Sequence, residues 1–157
     1  MKEFIDVSVF MGMHSKHDQT RIACKNFFIE RMDKKIYISF ENLGKCDDMV
    51  WQFDRVTQDA YYPFMDRLHT IMDIQRIPYD VEDIDTYTAD FAPSTLSMLQ
   101  KLTCSVVLAK KGILYTFDKE LLGLKNVSVQ EPETVAREGV FPGDLEKWYQ
   151  ESLMLRM

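Results

Sequence analysis

Near the N-terminus the chain reads Phe4-Ile5-Asp6-Val7-Ser8-Val9-Phe10. This run is rich in β-branched and aromatic residues, which predicts a buried first strand of a sheet. A carboxylate inside such a strand is energetically costly unless another group pairs with it or coordinates it. Asp6 is therefore the first candidate for chemistry in the chain.

Strands and helices alternate along the rest of the sequence. Strands are predicted at residues 35–40, 113–118 and 127–129, and helices at residues 19–32, 60–74, 94–111 and 144–155. A further helix opens at Ser39 or at residues 41–42, and residues 80–91 form a short acidic helix. Pro63 is expected in the first turn of its helix, and Gly112 at the C′ position that ends another. The alternation predicts a three-layer α/β/α sandwich around a central, mostly parallel sheet.

Length and charge limit the classes of protein to consider. The 157 residues suit a single domain, with residues 133–157 as a C-terminal helical extension. The net charge of −6 excludes a strongly basic protein that coats nucleic acid. No apolar stretch approaches the ~20 residues that span a bilayer, and Asp6 interrupts any signal peptide, so we expect a cytoplasmic protein without membrane contact. The three cysteines have no CxxC spacing and are expected to be reduced and buried.

Two histidines flank the loop that is predicted at residues 12–16. His14 and His17 are three residues apart, which is a weak zinc signal without two further ligands. The spacing favours solvent-exposed loop residues.

Two aspartates fall where the chemistry of a parallel sheet is usually placed. Asp6 lies in the first predicted strand, and Asp118 ends the strand at residues 113–118. Ligands bind beyond the carboxyl ends of such strands, and carboxylates are preferred ligands of Mg²⁺ and Mn²⁺. The alternatives are structural: Asp118 can cap the following helix, and Asp6 can pair with a lysine.

At these residues the chain resembles the PIN-domain nucleases. The run at residues 4–10 resembles their opening strand, and residues 108–121 are similar to their late helix, strand and (Thr/Ser)-x-Asp signature. In element order the resemblance spans residues 3–132. It implies a ribonuclease-like site of three or four acids that binds Mg²⁺ or Mn²⁺. Asp6 and Asp118 take the first-strand and late-strand positions, and Thr116 takes the nearby hydroxyl position.

The second acid of the family is expected on the helix after the second strand. Lys45 falls about where the resemblance places it, so the usual spacing is not reproduced. Glu41 and Asp48 share a helical face and are equal candidates to replace it. Asp47 is a further candidate.

The third acid of the family is expected near Lys101, yet no carboxylate occurs between Phe91 and Phe117. Either Asp90 or the pair Asp83 and Asp85 reaches in from the preceding segment, or the site is incomplete. An incomplete site would bind metal weakly.

A second polar cluster occupies residues 58–69. Asp59, Asp66 and His69 are candidates for a metal or acid/base set, with Tyr61 and Tyr62 as a stacking platform for unpaired bases. The competing interpretation is an N-capping Asp59, a core aromatic pair and a surface contact between Asp66 and His69.

These observations lead to two hypotheses. The first is a bacterial-type, toxin-like PIN nuclease: a Mg²⁺- or Mn²⁺-dependent phosphodiesterase that acts on single-stranded RNA and whose metal-bound water attacks phosphorus. The second is a catalytically degenerate PIN-like protein that acts through association with an inhibitory or partner protein, with self-association left open. The terminal helix with Trp148, Tyr149, Leu153 and Met154 would then bind the partner, unless it docks on its own domain.

Overall fold

A five-stranded sheet forms the centre of the computed structural model, which describes all 157 residues. The strands are β1 (Glu3–Ile5), β2 (Lys35–Ser39), β3 (Asp73–Ile77), β4 (Ile113–Tyr115) and β5 (Val129–Gln130). Their order across the sheet is β3-β2-β1-β4-β5, and every neighbouring pair is parallel. Residues alternate between two apolar cores along β1, because Phe4 belongs to one core and Ile5 to the other. Helices therefore cover both faces of the sheet, and the predicted α/β sandwich is confirmed.

Eight α-helices complete the fold. They are α1 (Val7–Phe10), α2 (Asp18–Ile29), α3 (Phe40–Val50), α4 (Arg55–Ile71), α5 (Val81–Thr86), α6 (Met98–Ala109), α7 (Lys119–Leu122) and α8 (Leu145–Ser152). A 3₁₀ turn (Met11–His14) follows α1, and a π-helical turn (Tyr87–Phe91) follows α5. None of these helices combines the length and apolar character that crossing a bilayer requires.

The first strand is shorter than the sequence predicts. It ends at Ile5, and Asp6 is the N-cap residue of α1, with an extended backbone and a side chain that accepts from the amides of Ser8 and Val9. An N-capping carboxylate satisfies the amides that a new helix leaves unpaired, and this local bonding outweighs the strand propensity of Val7 and Val9. The prediction of one strand through Phe10 is therefore wrong.

The segment between α3 and β4 differs most from the prediction. Helix α4 starts after the N-cap residue Asp54, so Pro63 lies inside the helix and not in its first turn. Strand β3 was not predicted at all. It pairs only with β2 at the edge of the sheet, and Ile74 is its one buried residue, so it lacks the apolar run that identifies a central strand.

The end of α6 corrects a further prediction. The residue with a left-handed backbone is Lys111, at φ 53°, and not Gly112. Gly112 is required for space: a Cβ there would lie 2.5 Å from the ring of Phe4 and 2.7 Å from the carbonyl oxygen of Lys2. This close approach lets the turn after α6 pack directly on β1.

The C-terminal segment shares the core of the domain. Phe141, Leu145, Tyr149 and Leu155 are almost completely buried in the same core as Ile5, and α8 packs against α4. Of the four residues predicted to bind a partner from this helix, Tyr149 is buried, Trp148 and Leu153 are half-buried and Met154 is exposed. The helix therefore docks on its own domain.

His14 lies in the core, and the prediction of an exposed loop residue is wrong. Its Nε2 atom is 2.8 Å from Ser152 Oγ, and its ring packs against Tyr61, Phe64 and Tyr149. His17 is exposed, as predicted. The three cysteines are free and buried, which confirms that prediction.

Candidate functional site

The pairing of β1 with β4 brings the two key aspartates to one edge of the sheet. Ile5 lies opposite Tyr115 in parallel register, so the chain leaves both strands side by side. An open cavity of about 200 Å³ lies at this edge. It is lined by Asp6, Val7, Ser8, Asn42, Leu99, Gln100, Thr103, Asp118 and Leu121.

The Asp6 carboxylate is buried and accepts four hydrogen bonds. Its Oδ1 atom accepts from Ser8 N at 3.0 Å, Val9 N at 3.4 Å and Ser8 Oγ at 2.6 Å, and its Oδ2 atom accepts from Thr116 Oγ1 at 2.6 Å. Burial raises the pKa of Asp6, although the hydrogen bonds from Ser8 and Thr116 act in the opposite direction. Oδ1 therefore accepts three of the four bonds, whereas Oδ2 accepts one and keeps one acceptor position open.

Two hydroxyl groups connect Asp6 to the segment after β4. Thr116 Oγ1 donates to Asp6 and accepts from the amide of Asp118 at 2.9 Å. Ser8 Oγ donates to Asp6 and accepts from the amide of Phe117 at 2.8 Å. Thr116 therefore lies beside Asp6, where the resemblance places it, and Ser8 has a matching position that sequence reasoning missed.

Asp118 is half-exposed and has two structural partners. Its Oδ1 atom accepts from the amides of Glu120 at 2.9 Å and Leu121 at 3.4 Å, which makes Asp118 the N-cap residue of α7. Its Oδ2 atom accepts from Gln100 Nε2 at 2.7 Å. The helix-capping alternative for Asp118 is thus realised in a residue that also faces the cavity.

The remaining polar wall of the cavity is uncharged. Asn42 Oδ1 accepts from Val7 N at 3.2 Å, and Asn42 Nδ2 donates to Ser39 Oγ and to Thr103 Oγ1, both at 2.9 Å. Sequence reasoning did not select Asn42, Gln100 or Thr103, because it searched for carboxylates. Gln100 is adjacent to Lys101, where the resemblance places the third acid, and Asn42 follows directly after Glu41.

The candidates for the second acid do not line the cavity. Glu41 is exposed, and Asp48 is exposed and lies 3.3 Å from Lys45 in an ion pair. Asp47 accepts a hydrogen bond from Tyr62 Oη at 3.0 Å, in a separate pocket between α3 and α4. None of the three carboxylates therefore lines the cavity with Asp6 and Asp118.

The candidates for the third acid also lie outside the cavity. Asp90 and Asp85 are exposed, whereas Asp83 is buried and 2.9 Å from Lys110 Nζ in an ion pair. Lys101 donates to the carbonyl oxygen of Ala92 at 3.0 Å. No side chain from the acidic segment completes the site.

The residues of the second predicted cluster, at positions 58–69, lie in different environments in the structure. Asp59 is exposed and forms an ion pair with Arg55 at 2.9 Å, and it caps no helix. Tyr61 is buried in the core. Asp66 and His69 line the pocket between α3 and α4.

The donor atoms do not fit the metal site that the resemblance implies. No group of three or more His, Cys, Asp or Glu side chains is arranged to hold a metal ion anywhere in the chain. The cavity offers two carboxylates, and the hydrogen bonds to Asp6 leave it one open acceptor position, on Oδ2. Mg²⁺ and Mn²⁺ are bound through several oxygen ligands, and the amides of Asn42 and Gln100 already have partners within the protein.

Comparison of the sequence with protein families gives one match. A family model described as "Family of unknown function (DUF6190)" matches residues 1–157. Among curated proteins none matches the sequence.

Two solved structures have a similar fold at low sequence identity. VapBC2 from Rickettsia felis, crystallised with a DNA fragment from its promoter, is 13% identical, covers 85% of this chain and 100% of its own, and gives a TM-score of 0.64. PAE2754 from Pyrobaculum aerophilum is 16% identical, covers 82% of this chain and 83% of its own, and gives a TM-score of 0.56. At such identities the likeness shows the fold alone.

Proposed function

The chain belongs to the DUF6190 family, and we propose that it is a catalytically degenerate PIN-like domain that acts by associating with another protein. The observation that carries this proposal is the composition of the cavity beside β1 and β4. Asp6 and Asp118 are its only carboxylates, and both serve as helix N-caps. With no further acid in reach, the cavity is a poor site for a divalent cation.

The outer face of α3 is the surface that we assign to association. Phe40 and Trp51 are 53% and 65% exposed and lie about three helical turns apart, so they fall on one face. Gly44 lies between them with nothing within 4 Å of a Cβ position, which leaves the helix backbone open to a partner. Aromatic side chains are enriched at interaction hot spots, and Glu41, Lys45 and Asp48 together give the exposed side of α3 one net negative charge. It fits a protein segment that presents basic and apolar side chains.

The degenerate site is tested by adding Mn²⁺ during thermal unfolding. We expect no Mn²⁺-dependent rise in the Tm of the wild type, of Asp118→Asn, or of the control Asp48→Asn, which changes an exposed acid outside the cavity. We also expect no metal-dependent cleavage of single-stranded RNA by any of the three proteins. The physical reason is that a ligand raises the Tm only when it binds the native state with useful affinity.

A second candidate is Mg²⁺- or Mn²⁺-dependent hydrolysis of single-stranded RNA, with Asp6 and Asp118 as the residues that would hold the ion. The convergence of both carboxylates on one open cavity favours it. A Tm rise of several degrees with Mn²⁺ in the wild type and in Asp48→Asn, together with RNA cleavage, both lost in Asp118→Asn, would establish this candidate and refute the degenerate site.

The association surface is tested by crosslinking in the native cell. A photo-crosslinking amino acid at position 51 is expected to capture one protein whose contact segment is basic and apolar, because Trp51 is the more exposed of the two aromatic side chains in the proposed contact. The same group at Lys147, which is exposed on α8, serves as control. Equal products from both positions, or a captured segment that is acidic, would refute the assignment of this face.

A further inference from the structure

A second pocket of about 200 Å³ lies between α3 and α4, and it shares no residue with the cavity beside β1 and β4. Its floor is apolar and is formed by Phe10, Leu43, Cys46, Tyr61 and Met65. Pockets for drug-sized ligands measure about 300–1,000 Å³, so this volume suits a smaller molecule.

The rim of this pocket carries opposite charges on different elements. Asp47 comes from α3, Asp66 and His69 from α4, and Arg76 from the edge strand β3. Tyr62 donates to Asp47 Oδ1 at 3.0 Å and holds that carboxylate in place.

Three rim groups have no partner within the protein. The Asp66 carboxylate and the Arg76 guanidinium are exposed to solvent, and the His69 imidazole is half-buried. None of the three forms a side-chain hydrogen bond or an ion pair among the 157 described residues. His69 instead packs its ring against Phe10, with the ring centroids 5.7 Å apart. Burial lowers the pKa of His69, and Arg76 lowers it further, although Asp66 and Asp47 oppose the shift. The imidazole is therefore neutral at neutral pH and available for hydrogen bonding.

We propose that this pocket binds a free α-amino acid with an apolar or aromatic side chain. The apolar floor accepts the side chain of the ligand. Asp66 and Asp47 pair with its ammonium group, and Arg76 pairs with its carboxylate, for which a guanidinium offers two parallel N–H donors. A purely apolar ligand would leave these charged groups unused, and an amine or an acid alone would use only one sign of charge.

The proposal is independent of the degenerate-site proposal, because the two pockets have no lining residue in common. If one of the two proposals is refuted, the other is therefore unaffected. The same holds for the experiments, since metal ions are the probe for the first cavity and amino acids are the probe for this pocket.

Three probes that each carry a phenyl ring test whether the pocket recognises both charged groups of an amino acid. L-phenylalanine carries both charged groups, phenethylamine lacks the carboxylate, and 3-phenylpropionate lacks the ammonium group. In calorimetric titrations or in NMR spectra we expect L-phenylalanine to bind with a Kd in the micromolar to millimolar range, at least about tenfold more tightly than either truncated probe.

Substitutions at the rim test which residue binds each charged group of the ligand. Arg76→Gln is expected to weaken L-phenylalanine about tenfold or more and to leave phenethylamine unchanged, whereas Asp66→Asn is expected to weaken both and to spare 3-phenylpropionate. Asp48→Asn is the matched control and is expected to change nothing. The proposal is overturned by the absence of saturable binding up to about 10 mM, by equal affinity of L-phenylalanine and phenethylamine, or by equal effects of Arg76→Gln and Asp48→Asn.

Discussion

Replacing Lys25 by methionine is expected to lower the free energy of unfolding by about 3–5 kcal/mol, the usual cost of removing one partner from a buried ion pair. The Lys25 ammonium group is 2.8 Å from Glu138 Oε2 and 2.8 Å from Glu146 Oε1, and only 1% of the side chain is exposed. It also lies 4.7 Å from the ring centroid of Tyr149. Methionine fills a similar volume but leaves both carboxylates half-buried without this cation.

Urea unfolding at neutral pH measures this loss. Lys147→Met is the matched control, because Lys147 is exposed and lies 4.0 Å from Glu151 in a surface pair. We expect this control to change stability by less than about 0.5 kcal/mol. Adding Glu146→Gln to Lys25→Met should recover part of the stability, because Lys25 is the only cation that pairs with Glu146, whereas Glu138 keeps its ion pair with Arg21. Equal losses for Lys25→Met and Lys147→Met would contradict the role of the buried network.

The same network explains why the C-terminal segment is part of the domain. Glu138 and Glu146 come from that segment, whereas Lys25 belongs to α2, which also contributes Arg21 as a second cation for Glu138. The hydrogen bond from Arg21 lowers the pKa of Glu138, and Lys25 acts in the same direction. Nothing in the local sequence indicates these pairings, because the partners are more than 110 residues apart.

The sheet and the placement of its two aspartates at one edge could be predicted from sequence where the signal is local. The alternation of apolar runs and helical periods predicts four of the five strands and the parallel arrangement. Asp6 and Asp118 could be placed together because Asp6 falls within one predicted buried strand and Asp118 ends another. Strand β3 could not be found, since an edge strand with one buried residue has no apolar pattern.

The rest of the cavity wall depends on tertiary structure. Asn42 reaches it because Ser39 caps α3 and sets the helix phase, with Asn42 directed inward and Glu41 outward. Helical periodicity alone gave Glu41 and Asp48 a common face, which the structure confirms, but it did not show that this face is exposed. His14 was misjudged for a similar reason: Ser152, its partner, lies 138 residues further along the chain.

Acidification from pH 7.5 to pH 5 is expected to remove about 2 kcal/mol of stability through His14 alone. Burial lowers the pKa of His14 to about 3, and Arg156 and Arg21 act in the same direction. The ordinary pKa of histidine is about 6.5, so below that pH the unfolded chain takes up a proton that the native state refuses. The stabilisation from the neutral imidazole is therefore complete above pH 6.5 and is lost progressively as the pH falls towards 3.

The contribution of His14 is isolated by comparing urea unfolding of the wild type and His14→Gln at both pH values. Glutamine does not titrate and can still form a hydrogen bond with Ser152, so the variant should lose about 2 kcal/mol less than the wild type over this range. His69 titrates in the same direction in both proteins and cancels in the difference. His17→Gln is the control, and it should follow the wild type because His17 is exposed. If His14→Gln and the wild type lost equal stability, His14 would take up its proton in the native state as readily as in the unfolded chain. The buried imidazolium would then need an acceptor for its Nδ1 atom, which has no partner in the core.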